Sequence, residues 1–340
     1  MVAIAVTAPG VLDITAAPGP GQPGPGEVLV RVQRAGICGS DIHILHGSNP
    51  FARYPRVIGH EFAGVVAETG PGVSAVAPGH RVVVDPVLAC GHCYPCRAGR
   101  PNVCSNLEVL GVHRDGGFRD HVVVPEANCI RVPDNVPIEI ATLAEPFAVA
   151  ANVLSRTGIG AEDTVLIYGA GTVGLTVLQV ARLHGARCIV SDMDGARLER
   201  ARLYGAAVVL DPRSDNVPEA VRGENDGLGP TVVIDGAGIP ALLEEACRVA
   251  SPAGRVGLLG FSPGPCNVSQ QQIVAKELTL VGSRLNRRFI AQVVEWMAQG
   301  KLRPGDMITQ TIPATDARAA FSLVENEPQK TVKVHLDFAE

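Results

Sequence analysis

Aromatic side chains are scarce in this chain: phenylalanine, tyrosine and tryptophan make up 4% of 340 residues, with a single Trp. A core must therefore close on aliphatic and alanine side chains. Basic runs are missing as well. The 29 Lys and Arg residues are scattered and outnumbered by 34 Asp and Glu, giving a formal net charge of -5. That balance excludes a nucleic-acid partner and an anionic membrane surface. The first charge is Asp13 and the first basic residue Arg31, so no basic segment precedes an apolar one and no targeting segment is read. No repeat of solenoid period occurs. Glycine and proline, 38 and 26 residues, stay below the share that signals disorder. The one long uncharged run, residues 164–181, reaches only the lower edge of a membrane span. Its three glycines, Gly169, Gly171 and Gly174, fit a buried strand, a turn and a helix better. With 46% apolar residues the chain can bury a sizeable core and has the length of two domains.

The nine cysteines are an odd number, and Cys90, Cys93, Cys96 and Cys104 crowd together while Cys38, Cys129, Cys188, Cys247 and Cys266 are scattered. This usage suits a metal site in a reducing compartment, the cytoplasm, rather than a disulfide framework. The four unclustered cysteines after residue 104 read as small apolar fillers.

Up to about residue 140, valine-rich runs bounded by glycine and proline (residues 28–32, 81–84 and 121–125) predict a compact β domain. The PGPGQPGPG stretch at residues 18–26 reads as a surface loop between early strands. From about residue 157 the rhythm alternates. Strands are expected at residues 164–168, 187–191, 207–210, 231–235, 255–260 and 278–282, with helices at 173–184 and 239–250. The fold class is therefore α/β, a doubly wound parallel sheet of Rossmann type joined to a β-rich domain. A helix ending near Gln299 and a strand at residues 331–338 should return to the first domain. The expected organisation is 1–147 catalytic, 148–287 dinucleotide-binding and 288–340 a returning segment.

Gly169-Ala170-Gly171-Thr172-Val173-Gly174 follows an apolar strand and opens a helix, so its glycines allow the tight turn and close approach of pyrophosphate to the helix N-terminus. Asp192, eighteen residues after Gly174, ends the next strand and should bind the adenosine ribose. A 2′-phosphate would meet that carboxylate. The nearest cations, Arg187 and Arg197, do not adjoin it, which favours NAD over NADP.

Cys90-x2-Cys93-x2-Cys96-x7-Cys104 supplies four thiolates from one loop, a closed set for a structural zinc. An iron–sulfur cluster could use four thiolates too, but the spacing differs from ferredoxin runs. Cys38, His60 and Glu61, all beside glycines, could hold a second zinc with one position open for a substrate oxygen. On spacing alone, Cys38 could equally be a core thiol and His60 a surface histidine.

GICGSDIH (residues 36–43), GHEFAGVV (59–66), the four-cysteine lobe, DGGF (115–118), EPFAVA (145–150) and GAGTVG (169–174) occur in one order along the chain. On these motifs it resembles the zinc-containing medium-chain dehydrogenase/reductase family over essentially its whole length. The resemblance implies a GroES-like domain, a Rossmann domain, one catalytic and one structural zinc, and NAD. It implies Cys38 and His60 as catalytic ligands and Glu61 as a third or exchanging one. Glu145 stands where the alcohol dehydrogenase branch has a cysteine, as in the polyol and threonine dehydrogenase branch. Ser40 and His43 fall at the family's proton-relay positions. Zinc would acidify the substrate hydroxyl, Ser40 and His43 would carry its proton to solvent, and hydride would pass to the nicotinamide.

The combination of GVH-x-DGGF with GSRLN resembles a bacterial subgroup containing L-galactonate and L-gulonate 5-dehydrogenases. The partner is then a small polyol or sugar acid, with His113, Arg284 and Arg287 as candidate substrate contacts and an arginine fork on the carboxylate. Sorbitol-like polyols and L-threonine are alternative substrates, and a non-catalytic NAD- or zinc-binding regulator is the alternative from another class. The family tendency, with the strand at residues 255–260 placed near the sheet edge, implies a homodimer or homotetramer.

Overall fold

The computed structural model describes residues 2–16 and 19–339; Ala17 and Pro18, the latter in the expected loop, lie outside the described residues. The chain divides into two compact units, Met1–Glu145 with Asn286–Glu340, and Pro146–Leu285.

In the first unit the valine runs pair as antiparallel strands. Glu27–Gly36 is flanked by Glu61–Thr69 and Lys333–Asp337, with His121–Pro125 also bonded to it. Arg81–Val84 and Cys129–Arg131 extend the sheet on one side, and Ile308–Pro313 on the other. The described part of the proline-glycine stretch connects Val11–Ala16 to Glu27–Gly36 as a loop. The C-terminal strand returns as expected. Val334 and Leu336 are buried on one face, while Lys333 and His335 are buried on the other.

The second unit is a six-stranded parallel sheet. Its spatial order is Val208–Leu210, Arg187–Ser191, Thr164–Tyr168, Val232–Asp235, Arg255–Leu258 and Thr279–Gly282. Thr164–Tyr168, first of these strands along the chain, pairs with Val232–Asp235, the fourth, so the chain switches direction beside Thr164–Tyr168, the point where such sheets bind ligands at their carboxyl ends. Residues 164–181 form the strand Thr164–Tyr168 and most of the helix Thr172–Leu183, as read. Arg255–Leu258 lies one strand in from the edge, with parallel neighbours on both sides, and Thr279–Gly282 adds outside it as the edge strand. Cys188 and Cys247 are buried fillers, but Cys266 is exposed on the loop that follows Arg255–Leu258 and fills nothing.

Candidate active site

Cys38 caps the short helix Gly39–Leu45. The helix starts there because Asp41, three residues on, reaches back and accepts the Cys38 N–H on Oδ2 at 2.9 Å. Asp41 is fully buried. Its Oδ1 accepts the Gly59 N–H at 3.3 Å and stands 3.6 Å from His60 Nδ1. One carboxylate thus steadies the backbone next to both candidate ligands. Burial alone would lower the His60 pKa, but Asp41 and Cys38 override it and hold the imidazole well above its ordinary value. A metal ion would replace that proton.

Glu61 opens the strand Glu61–Thr69 opposite Gly36. Glycine is needed there, since a Cβ would come within 2.5 Å of Glu61 Oε2. Both Glu61 oxygens accept from Lys333 Nζ, at 2.8 and 2.7 Å, and the ammonium also donates to the Ile37 carbonyl at 3.0 Å. Donor atoms of Cys38, His60 and Glu61 lie within 4.8 Å of one another. A thiolate, an imidazole and a carboxylate converging at that spacing fit a zinc ion held by three protein ligands. Glu145, in the first turn of Ala144–Thr157, is buried within the same electrostatic field. Burial pushes its carboxyl up to about 7, with Glu61 adding to the rise and His60 and Lys333 opposing it.

Ser40 and His43 stand three apart on Gly39–Leu45, hence on one side of the helix. Ser40 Oγ is 3.4 Å from His60 Nε2, and the exposed His43 places Nδ1 3.0 Å from Ser48 Oγ. Two buried charges of this site, Asp41 and Lys333, are absent from the sequence reading. Asp41 sits inside the quoted motif. Lys333 had one visible signal, a lysine alternating with valines in a C-terminal strand.

In the lobe, Cys93 Sγ lies 3.4 Å from Cys96 Sγ and 3.7 Å from Cys104 Sγ, and Cys104 Sγ is 3.4 Å from Cys90 Sγ. Tetrahedral ligands at a zinc–sulfur bond of about 2.3 Å stand about 3.8 Å apart, so the four sulfurs already have nearly the spacing zinc requires. The Cys90 and Asn106 N–H groups each donate to Cys104 Sγ at 3.3 Å. The Ser105 hydroxyl and N–H, with the Cys96 N–H, lower the Cys93 thiol to about 5. All nine cysteines are free.

The second unit carries the glycine turn. Gly169 has a φ of 91°, and a Cβ on Gly174 would fall 1.8 Å from the Gly169 carbonyl oxygen. Gly171 caps Thr172–Leu183 and has open space where its side chain would be, leaving the helix N-terminus approachable by phosphate. Asp192 Oδ2 accepts the Ala170 N–H at 2.6 Å and Oδ1 the Asp194 N–H at 2.8 Å, and Arg197 Nη1 lies 3.9 Å from Oδ2. Asp194, not Asp192, caps the following helix. Each Asp192 oxygen therefore keeps a lone pair for a ribose hydroxyl.

His113 Nδ1 accepts the Val109 N–H at 3.1 Å, and its ring lies 6.1 Å from that of Phe51. Arg284 belongs to the second unit and Arg287 to the first. Arg287 lies over the Phe289 ring at 5.6 Å and, with Arg288, lines a cleft against Gly91, Cys96 and Gly99 of the lobe.

A parallel six-stranded sheet with its glycine turn, and a β-rich unit holding a Cys/His/Glu cluster and a four-thiolate lobe, define a zinc-containing dehydrogenase. The chain belongs to that family: residues 24–134 match the alcohol dehydrogenase GroES-like domain and residues 172–299 the zinc-binding dehydrogenase domain. It is 46% identical to the starvation-sensing protein RspB of Escherichia coli K12 over 94% of both chains. It is 40% identical to an L-threonine 3-dehydrogenase of Pyrococcus horikoshii over 89% of both chains. The L-galactonate-5-dehydrogenase of Escherichia coli K12 is 35% identical over 86% of both. Among solved structures, RspB of Escherichia coli CFT073 complexed with NADH superimposes with a TM-score of 0.95 at 44% identity, covering 99% of each chain.

Proposed function

We propose that this protein oxidises a secondary alcohol of a sugar acid or polyol, L-galactonate or L-gulonate to the 5-keto acid first among them, with NAD as hydride acceptor. The observation that carries the reading is the convergence of Cys38, His60 and Glu61, with the buried Glu145 in the same electrostatic field, a donor set of one thiolate, one imidazole and two carboxylates. Cys38, His60 and one of the two glutamates would hold the catalytic zinc, and Cys90, Cys93, Cys96 and Cys104 the structural one. Bound zinc supplies Lewis acidity at the substrate hydroxyl, and NAD supplies the hydride acceptor. The chain's own residues do the rest. Ser40 takes the hydroxyl proton as it passes its own toward His43, and His43, exposed on the same helix, releases a proton to solvent. Gly169, Gly171, Thr172, Val173 and Gly174 seat the pyrophosphate. Asp192, steadied by Arg197, takes the ribose hydroxyls and repels a 2′-phosphate. Arg284 or Arg287 binds the hexonate carboxylate, and His113 lines the pocket.

The resemblance to an NADH-complexed structure and to L-galactonate-5-dehydrogenase supports this reading. The higher identity to L-threonine 3-dehydrogenase favours a second one, oxidation of a β-hydroxy amino acid at the same centre. NADH formation should be measured across L-galactonate, L-gulonate, sorbitol and L-threonine. The highest kcat/KM is expected with a hexonate, and with a KM raised about tenfold or more by loss of the carboxylate-binding arginine. Turnover of L-threonine alone would replace the hexonate reading. Turnover of none, in fully zinc-loaded protein, would argue for a binding or regulatory protein.

A further inference from the structure

The residue before His60 is Gly59, whose φ of 92° lies in the left-handed region. A Cβ on Gly59 would stand 2.0 Å from the ring of Phe118, so that ring fills the space any other residue would need. The Phe118 segment is bonded to the ligand segment along its length. Gly116 N–H donates to the Val57 carbonyl at 2.8 Å, Gly117 N–H to Gly59 at 2.9 Å, and Phe118 N–H to Ile58 at 3.0 Å. Gly116 and Gly111 close on the same peptide, where their Cβ atoms would come within 2.1 and 2.6 Å of Gly59 O. Behind Phe118, Phe321 of the helix Ala317–Asn326 packs edge-on, with ring centroids 6.3 Å apart at 86°. Both rings are buried.

We propose that Phe118, seated by Phe321, is a positioning residue for His60: its ring holds the Gly59–His60 peptide in the one conformation that aims the imidazole at Cys38 and Glu61. Glycine gives residue 59 access to most of backbone space, so something outside it must choose the conformation. The interlock of ring and peptide, together with the Gly59 N–H bond to Asp41, makes that choice. The C-terminal segment thereby supports both ligands of the His60-Glu61 pair, one through Phe321 and Phe118 and the other through Lys333. A small displacement of a ligand or catalytic group is costly, and residues that orient metal ligands typically contribute about 10–100-fold to affinity.

This inference rests on the reading that Cys38 and His60 hold zinc, and its test separates the two. Zinc release from the holoenzyme to a chromogenic chelator is followed for the wild type, Phe118→Leu and Phe321→Leu, together with visible absorption of the Co2+-substituted forms. In Phe118→Leu the Cys38–His60 zinc is expected to leave about tenfold faster with an altered Co2+ spectrum, while the lobe zinc and NADH binding are unchanged. Phe321→Leu, one ring farther out, should move the same readouts less, and it serves if Phe118→Leu does not fold. Unchanged release and spectrum at a lowered Tm would show packing only and overturn the inference, as would equal acceleration at both zincs. A wild type carrying zinc at the lobe alone would overturn the underlying reading and this inference with it.

Discussion

The four-cysteine lobe takes every ligand from residues 90–104, whereas Cys38, His60, Glu61 and Glu145 arrive from three separate segments and depend on a fourth, the strand Lys333–Asp337. The lobe needs little beyond its own turns. Its charge is steadied by backbone N–H groups and by Ser105, close in sequence and near solvent. In the dispersed cluster His60, Glu61 and Glu145 are buried and Cys38 half-buried, so its carboxylates and imidazole cannot lean on water. The cluster requires Asp41 under the imidazole, Lys333 against Glu61 and a glycine at position 36 to let them meet. A closed site can be written locally. A site that must leave a position open for substrate is held from outside by charges that the ligand spacing never mentions.

The largest break in that contrast should come from Lys333→Met. It leaves the buried Glu61 carboxylate without its ammonium partner, and should cost about 3–5 kcal/mol in urea denaturation while the lobe keeps its zinc. A loss below about 1 kcal/mol would show that the pair contributes little. Asp41→Asn comes next. One carboxylate oxygen becomes an amide NH2 that donates only, so either the Cys38 N–H or the Gly59 N–H loses its acceptor, and the charge beside His60 is removed. Metal affinity at the dispersed site is expected to fall about 10–100-fold, measured by competition with a chelator, with the lobe unaffected.

His335 offers a third test, through pH. It shares the buried face of Lys333, neither ring nitrogen has a hydrogen-bond partner among the described residues, and burial, helped by Lys333 and Arg34, lowers its pKa to about 3. The unfolded chain takes up this proton near pH 6.5 and the folded chain only near 3, so stability is lost as pH falls through that window. Between pH 7 and 5 the loss should be about 2 kcal/mol, and His335→Phe should flatten this part of the curve. A variant that follows the wild-type pH curve would contradict it. The smallest effect is expected from Ser105→Ala. Loss of one hydroxyl on the Cys93 thiolate should weaken lobe zinc by no more than about tenfold and leave the dispersed site alone.

The same contrast explains what could be read from residues alone. The lobe was plain because its ligands are neighbours, and the glycine turn because its strand and helix adjoin it. The strands at residues 164–168 and 187–191 end where valine and isoleucine runs meet glycine or aspartate, and the structure agrees residue for residue. Sheet order is a non-local property, and only the pairing fixes Arg255–Leu258 one strand in from the edge, beside Thr279–Gly282. Asp41 and Lys333 escaped for a related reason. A buried charge looks in sequence like any surface charge until the pairing of Glu61 with Gly36, and of His335 with Gly36, brings the strands together.

Metal content bears on the central claim most directly. Fully loaded wild-type protein should carry about two zinc ions per chain, and Cys38→Ser about one, with the lobe ion retained and NADH binding intact. Two zinc ions still bound in Cys38→Ser, or only one in the wild type under saturating metal, would contradict it.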